Sequence, residues 1–259
     1  MDRRRFLAAS GLAGVVGLAG CNQVSSTALG SVAPPEVPQD QLESGGWTLD
    51  EEDTRTVFEE AYGPVTVIAK AHSLVYTDSE LADRVQTDTL GSVSGTLATF
   101  AATRVRFSPD LTQLPNSARG ELIDRVESNS RDRFVQRMQE AGLTNVQQSE
   151  TGDLQVDTGE TARYTGYTAE YEVGESSFAL PDGEQMTIDV DPIAVSGDLA
   201  VWVHGDSVLV AGGAYPAENF ATALDRDVTD AVSVTLSVDL GLQPAEYETE
   251  ARSLITATR

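Results

Sequence analysis

Cysteine and lysine are almost missing from this sequence. Cys21 and Lys70 are the only examples of each, and histidine occurs only at His72 and His204. A single cysteine excludes an intrachain disulfide and a multi-thiolate zinc site, and beyond residue 21 it excludes a cysteine nucleophile. Cations of any kind are scarce: 17 Lys and Arg stand against 41 Asp and Glu, for a formal net charge of −24. Nucleic-acid recognition through a basic surface is excluded with them, because counterion release needs clustered cations. Long apolar runs are also absent. The stretch from Phe6 to Gly20 makes a helix of about 22 Å, short of the roughly 30 Å core of a bilayer. No Walker-type loop, dinucleotide fingerprint or Asn-x-Ser/Thr sequon occurs, and Gly91-Ser92-Val93-Ser94-Gly95 places valine where a hydrolase elbow needs its serine. What remains is globular in composition, 40% hydrophobic, and 259 residues suit one larger domain or two small ones.

The first twenty-one residues carry the most specific signal that is present. Arg3, Arg4 and Arg5 precede Phe6, Leu7 and a Gly/Ala-rich apolar run ending in Leu18-Ala19-Gly20-Cys21. This is the order of an export signal: positive charge, a short apolar stretch, then small residues at the cleavage point. Arg3-Arg4-x-Phe6-Leu7 resembles a twin-arginine signal, the route for proteins exported already folded. Leu18, Ala19, Gly20 and Cys21 resemble the lipobox of bacterial and archaeal lipoproteins. That resemblance implies lipidation of the Cys21 thiol and residence on the outer face of the cytoplasmic membrane.

Cleavage before Cys21 removes Asp2 and three arginines, leaving 40 acids against 14 bases, a net charge of about −26. The acids are spread along the whole chain, which favours a solvation role over one cationic ligand. At 1 M salt the Debye length falls to about 3 Å and the self-repulsion is screened. The acid-rich, lysine-poor composition is similar to that of haloarchaeal proteins. Together with the leader it resembles an uncharacterised haloarchaeal twin-arginine lipoprotein.

Residues 1–20 therefore read as the export signal and 21–46 as the lipidated cysteine with a Ser/Pro/Gly-rich tether, leaving 47–259 as a single domain. Thr48 with Glu51 has the form of a capping box and predicts a helix through Val57, Phe58 and Ala61. Val65 to Tyr76 alternates as a strand, with His72 on its polar face. Asp78 to Gln86 predicts a short helix, and Thr96 to Phe107 another strand. The helix from Ser117 to Ala141 sets Leu122, Ile123, Val126, Phe134 and Met138 on its inner side. Arg125, Arg131, Arg133 and Arg137 fall on a solvated face. Beyond it the period is two, at Tyr167–Val173, at Met186–Val190, in a hairpin of 199–204 and 208–212, and along Val232–Leu242. Pro244 opens a closing helix. The fold class this predicts is α+β: a mainly antiparallel sheet packed against a few helices, αβα-sandwich-like. The element order resembles the αβα sandwich of photosystem-associated and Ran-binding small domains, which implies architecture and no activity.

Four constellations invite a chemical reading. Gly205-Asp206-Ser207 resembles the Gly-Asp-Ser block of a lipase and esterase family, but no histidine follows it to serve as base, and Gly and Asp are ordinary turn residues. Asp189 and Asp191 share a strand face, while Asp225, Asp227 and Asp230 cluster in an expected loop. Either group could hold a hard cation such as Ca²⁺ through oxygen ligands, although so acidic a chain produces such clusters by composition. His72 and His204 would both have to join carboxylates to make a zinc site. Trp202 and Tyr215, near Gly212-Gly213, border a ligand groove or else pack in the core, with the glycines making a bulge or bend; packing is the commoner fate.

No acid, base and nucleophile set is legible, and no cofactor is predicted. The expectation is a non-enzymatic binding or interaction module, its protein or small-molecule partner unspecified, attached to the membrane by lipid. The alternative is a carboxylate- or metal-dependent hydrolase whose groups meet only in space. Acids converging on a pocket with His72 or His204 would favour the enzyme.

Overall fold

The stretch that carries a capping-box pattern, Trp47–Tyr62, is a strand. The computed structural model describes residues 32–62, 65–88, 96–172, 175–179, 185–189, 191–229 and 232–259. After a short helix α1 (Gln39–Ser44), the sixteen-residue strand β1 (Trp47–Tyr62) pairs antiparallel with β2 (Val65–Asp78) along its length. The expected helix is overturned by two bulges. Asp50 and Val57 are extra residues with no partner in β2, so Val57 and Phe58, neighbours in sequence, both pack on the same apolar cluster. That breaks the two-residue period and imitates helical spacing. β1 is also an edge strand, and its acids and bulges discourage further strand addition.

The expected tether is corrected in part as well. Val32 and Leu42 are buried, and Glu36 exchanges two backbone hydrogen bonds with Arg259, so residues 32–46 belong to the packed body.

Helix α2 (Ser79–Asp88) follows, started by Asp78, whose Oδ1 accepts the Leu81 N–H at 2.8 Å. Burial pushes the Asp78 carboxyl above its ordinary range, against the Leu81 hydrogen bond that favours the anion. The folded state therefore holds a proton more readily than the unfolded one, so Asp78's contribution to stability declines as pH rises above about 4. Asp78→Ala is expected to lose the cap and about 1 kcal/mol. Asp78→Asn keeps an acceptor, and its denaturant midpoint should gain on the parent between pH 4 and pH 7. An equal difference at both values would contradict the buried-carboxylate account.

The chain continues through β3 (Thr99–Ser108), the long helix α3 (Asn116–Glu140), β4 (Leu143–Gln155) and β5 (Thr161–Tyr171). The hairpin of β6 (Glu175–Ala179) and β7 (Gln185–Asp189) comes next, then β8 (Ile193–His204) and β9 (Ser207–Pro216). The hairpin of β10 (Ala221–Thr229) and β11 (Val232–Asp239) and the closing helix α4 (Pro244–Ala257) complete it. The main sheet has seven strands in the order β1-β2-β3-β9-β8-β5-β4, every pair antiparallel. The fold is α+β, as the sequence predicts.

Alternation sends successive side chains to opposite faces. On one face a single continuous cluster, including Phe100, Trp202 and Leu209, packs under Leu254 and Ile255 of α4. The other face, under α3, carries two clusters instead of one. Phe107, Leu122 and Val126 belong to the first, and Met138, Tyr167 and Leu199 to the second.

Gly212 and Gly213 lie inside β9, within an unbroken register, so the expected bulge or bend is corrected to a straight strand. A Cβ on Gly212 would stand 2.8 Å from the Asp198 carbonyl oxygen and 3.0 Å from Phe134, and one on Gly197 would stand 3.0 Å from Phe134. The two glycines let the Phe134 ring lie close to the sheet.

Candidate functional site

The gap between the two clusters under α3 is a cavity of about 120 Å³. It follows directly from the helix sequence. Glu127 to Arg133 are seven polar residues in a row, so the turn between Val126 and Phe134 brings Asn129, Ser130 and Arg133 to the inner side where apolar residues would seal the layer. The sheet beneath contributes small side chains, Ala71, Ser73, Ala101 and Thr103, together with Gly212, which do not fill the space from below. Val75, Val105 and Val210 make the rest of the floor apolar.

Two ion pairs span from α3 to the edge strand: Arg125 with Glu60, and Arg137 with Glu51, the latter bidentate at 3.1 Å on both oxygens. Between these two clamps, in both elements, lie the cavity-lining residues Arg55 and Val57 of β1 and Asn129 and Arg133 of α3. A shallower groove continues outward along Thr56, Asp132 and Gln136.

The electrostatics run opposite to the rest of the molecule. Arg55, Arg133 and Arg137 line the cavity and, among the described residues, no Asp or Glu does. Their combined field is felt at the rim. The Glu51 carboxyl is held below its ordinary range chiefly by the Arg137 hydrogen bond, against a desolvation effect that raises it, and then by the charges of Arg137, Arg133 and Arg55. Arg137 is occupied by Glu51, and Arg55 stands 3.9 Å from Asp53. Arg133 donates to Gln136 Oε1 at 3.0 Å and stands 3.9 Å from Glu140 Oε1, but its Nε is buried without a hydrogen-bond partner among the described residues. The solvated face expected for Arg133 and Arg137 is thus corrected: both turn toward the sheet.

A family profile described as a domain of unknown function, DUF6517, matches residues 34–259. The chain belongs to this family. Comparison with curated proteins and with solved structures finds no match. The DUF6517 region begins within two residues of Val32, the first described residue, which agrees with the packing of 32–46 against the body.

Within the DUF6517 domain, the residues singled out by sequence take structural places. Trp202 and Tyr215 are 2% and 4% exposed and border no open groove. Trp202 sits in the α4-face cluster, with Nε1 lacking a partner among the described residues. The Gly205-Asp206-Ser207 segment is the β8–β9 turn: Gly205 has φ +59°, and Ser207 Oγ donates to Asp206 Oδ1 at 3.0 Å, with Arg106 on the other carboxylate oxygen. His204 Nδ1 lies 2.9 Å from Glu160 Oε1. His72 is enclosed by Thr54 Oγ1 and Glu52 Oε1, each at 2.9 Å, and by the Val32 carbonyl oxygen at 3.1 Å. Asp225 and Asp227 stand on strand β10, which corrects the expected loop, Asp189 ends β7, and Asp191 is exposed. Among the described residues no three His, Cys, Asp or Glu gather as a metal-holding group. Arg3, Arg4, Phe6, Leu7, Leu18, Ala19, Gly20, Cys21, Gly91–Gly95 and Asp230 lie outside the described residues.

The opposite face of the DUF6517 domain holds a polar network that sequence reasoning missed. Asp198, 3% exposed, accepts hydrogen bonds from Tyr164 Oη at 2.5 Å, Tyr215 Oη at 2.9 Å and Arg252 Nε at 3.2 Å. Burial first, and the Asp198 charge after it, push both tyrosine hydroxyls well above their usual range, so they stay protonated donors. Arg252 also pairs with Glu248 one turn earlier and lies over the Tyr164 ring. The arrangement ties α4 to β5, β8 and β9. Every oxygen of the carboxylate is engaged, which is the arrangement of a structural carboxylate.

Proposed function

We propose that this DUF6517 protein is an exported lipoprotein, attached to the outer face of the membrane through a lipid on Cys21. Its domain works as a non-enzymatic binding module with the cavity beneath α3 as its site. The observation that carries the binding role is the character of that cavity: a largely apolar floor, arginines at the rim and, among the described residues, no lining histidine, cysteine or carboxylate. Ser73, Thr103 and Ser130 are the hydroxyls there, and Thr103 Oγ1 donates to Ser73 Oγ at 2.9 Å. A hydroxyl nucleophile needs a base within hydrogen-bond reach, and the lining supplies none.

The anchor rests on the leader residues Arg3-Arg4-x-Phe6-Leu7 and Leu18-Ala19-Gly20-Cys21. Among the described residues no helix is long and apolar enough to cross a membrane. Cys21 lies eleven residues before Val32, the first described residue and a buried one, and so short a separation supports display of the domain close to the membrane surface. The surplus of acids over bases supports a salt-rich habitat of the haloarchaeal kind.

Cys21→Ser tests the anchor: in membrane fractionation the variant should move from the pellet to the soluble fraction. Continued tight membrane association of the variant would sink the anchor reading.

A further inference from the structure

The cavity's shape and charge narrow what it binds. Its volume, about 120 Å³, is of the order of the roughly 150 Å³ cavity that takes up benzene, so it accommodates an apolar body of about six carbons. On the floor Ala71, Ala101, Val105 and Val210 offer such a body dispersion contacts, and the Ser73 and Thr103 hydroxyls beside them are hydrogen-bonded to each other at 2.9 Å. Three arginines line the opening in a protein that carries more than two acids for every base, and their acidic neighbours Glu51, Asp53 and Glu140 stand outside the lining. Arg133 holds a buried Nε–H without a partner among the described residues, and leaving a charged group's donor unmade is costly. A guanidinium fork matches the two oxygens of a planar carboxylate.

We infer that the cavity binds a small amphiphilic carboxylate, with its oxyanion on Arg133 at the rim and a hydrocarbon body of about six carbons on the sheet. This rests on the binding-module reading and specifies its ligand class. Arg55 adds positive charge at the same opening, while Arg137 stays clamped to Glu51 and holds the wall of the site in place. The polar groove beyond the mouth, with Thr56, Asp132 and Gln136, leaves the carboxylate end in contact with water.

The test is isothermal titration of the full chain carrying Cys21→Ser, in molar salt, with four probes: hexanoate, 1-hexanol, hexylammonium and inorganic phosphate. Hexanoate should bind at one site. Hexanol should bind at least about tenfold more weakly, and hexylammonium and phosphate should give no saturable heat. Arg133→Met should weaken hexanoate about tenfold and leave hexanol unchanged. Ala101→Leu, which fills the floor, should remove both while the far-UV CD stays that of the parent. Hexanol binding as tightly as hexanoate, or phosphate binding as tightly, overturns the amphiphilic-carboxylate inference and leaves the binding module standing. No saturable binding of any probe, together with an Ala101→Leu variant that is simply more heat-stable, overturns both, since the cavity is then only a packing defect.

Discussion

Asp198→Ala is expected to cost the domain about 3 kcal/mol. Three donors lose their acceptor at once: Tyr164, Tyr215 and Arg252. They do not suffer equally. The Arg252 side chain is 43% exposed and can turn to water, which places the cost at the low end of what breaking a buried ion pair entails. Tyr215 is buried and keeps an unsatisfied hydroxyl. For a domain of this size the thermal midpoint should fall by roughly 6–12 °C. Tyr215→Phe, which removes one donor and leaves the carboxylate with two, should cost about 1 kcal/mol.

The alkaline limb gives a second readout. Both tyrosines have folded-state pKa values raised above the unfolded value of about 10, so the folded state binds more protons in that range and stability falls as pH climbs through it. Asp198→Ala removes the charge that contributes to this, so the variant should lose less stability than the parent between pH 9 and pH 11. A midpoint within 2 °C of the parent would show that the network contributes little to holding α4 on the sheet.

Dialysis from molar salt into dilute buffer is expected to loosen or unfold the domain, with loss of most of its far-UV CD signal. Two electrostatic effects oppose each other there. Low salt strengthens the ion pairs, among them Arg125–Glu60, Arg131–Glu127, Arg163–Asp124 and Arg137–Glu51, but exposed pairs are worth only about 0–1 kcal/mol each. The surplus of acids has no counter-charge. As the Debye length grows from about 3 Å at 1 M to about 30 Å at 0.01 M, each surplus carboxylate comes to repel most of the others on the domain. The second effect grows with the number of interacting pairs and wins. A far-UV spectrum unchanged across that range would contradict the salt-adapted reading.

The strands and helices legible in the sequence are those whose neighbours repeat with a clean period. β2, α3, the β8–β9 hairpin and α4 lie close to where alternation or helical spacing puts them. Those missed have physical reasons. β4 is an exposed edge strand with two register shifts, so it carries no apolar alternation. The alternation predicts a first hairpin strand that begins at Leu199. Instead β8 runs from Ile193, since Gly197 admits the Phe134 ring on one face and Asp198 is satisfied by two tyrosines and an arginine on the other. The cavity did leave a trace, the seven polar residues Glu127 to Arg133 interrupting the inner stripe of α3. Read as a solvated stretch, they conceal that Arg133 faces the sheet.

By itself the sequence determined the fold class, the long helix and most of the sheet, because burying one face of an element imposes a period that residue order must carry. It also determined the charge, a sum over residues that needs no structure. Tertiary structure alone decided that β1 is a strand, that Asp198 is buried with its partners, and that three arginines of an acidic chain line one cavity. Those residues are distant in sequence, drawn from β1, β5, β8, β9, α3 and α4, and what brings them together is strand order and bulge position. A local period contains neither.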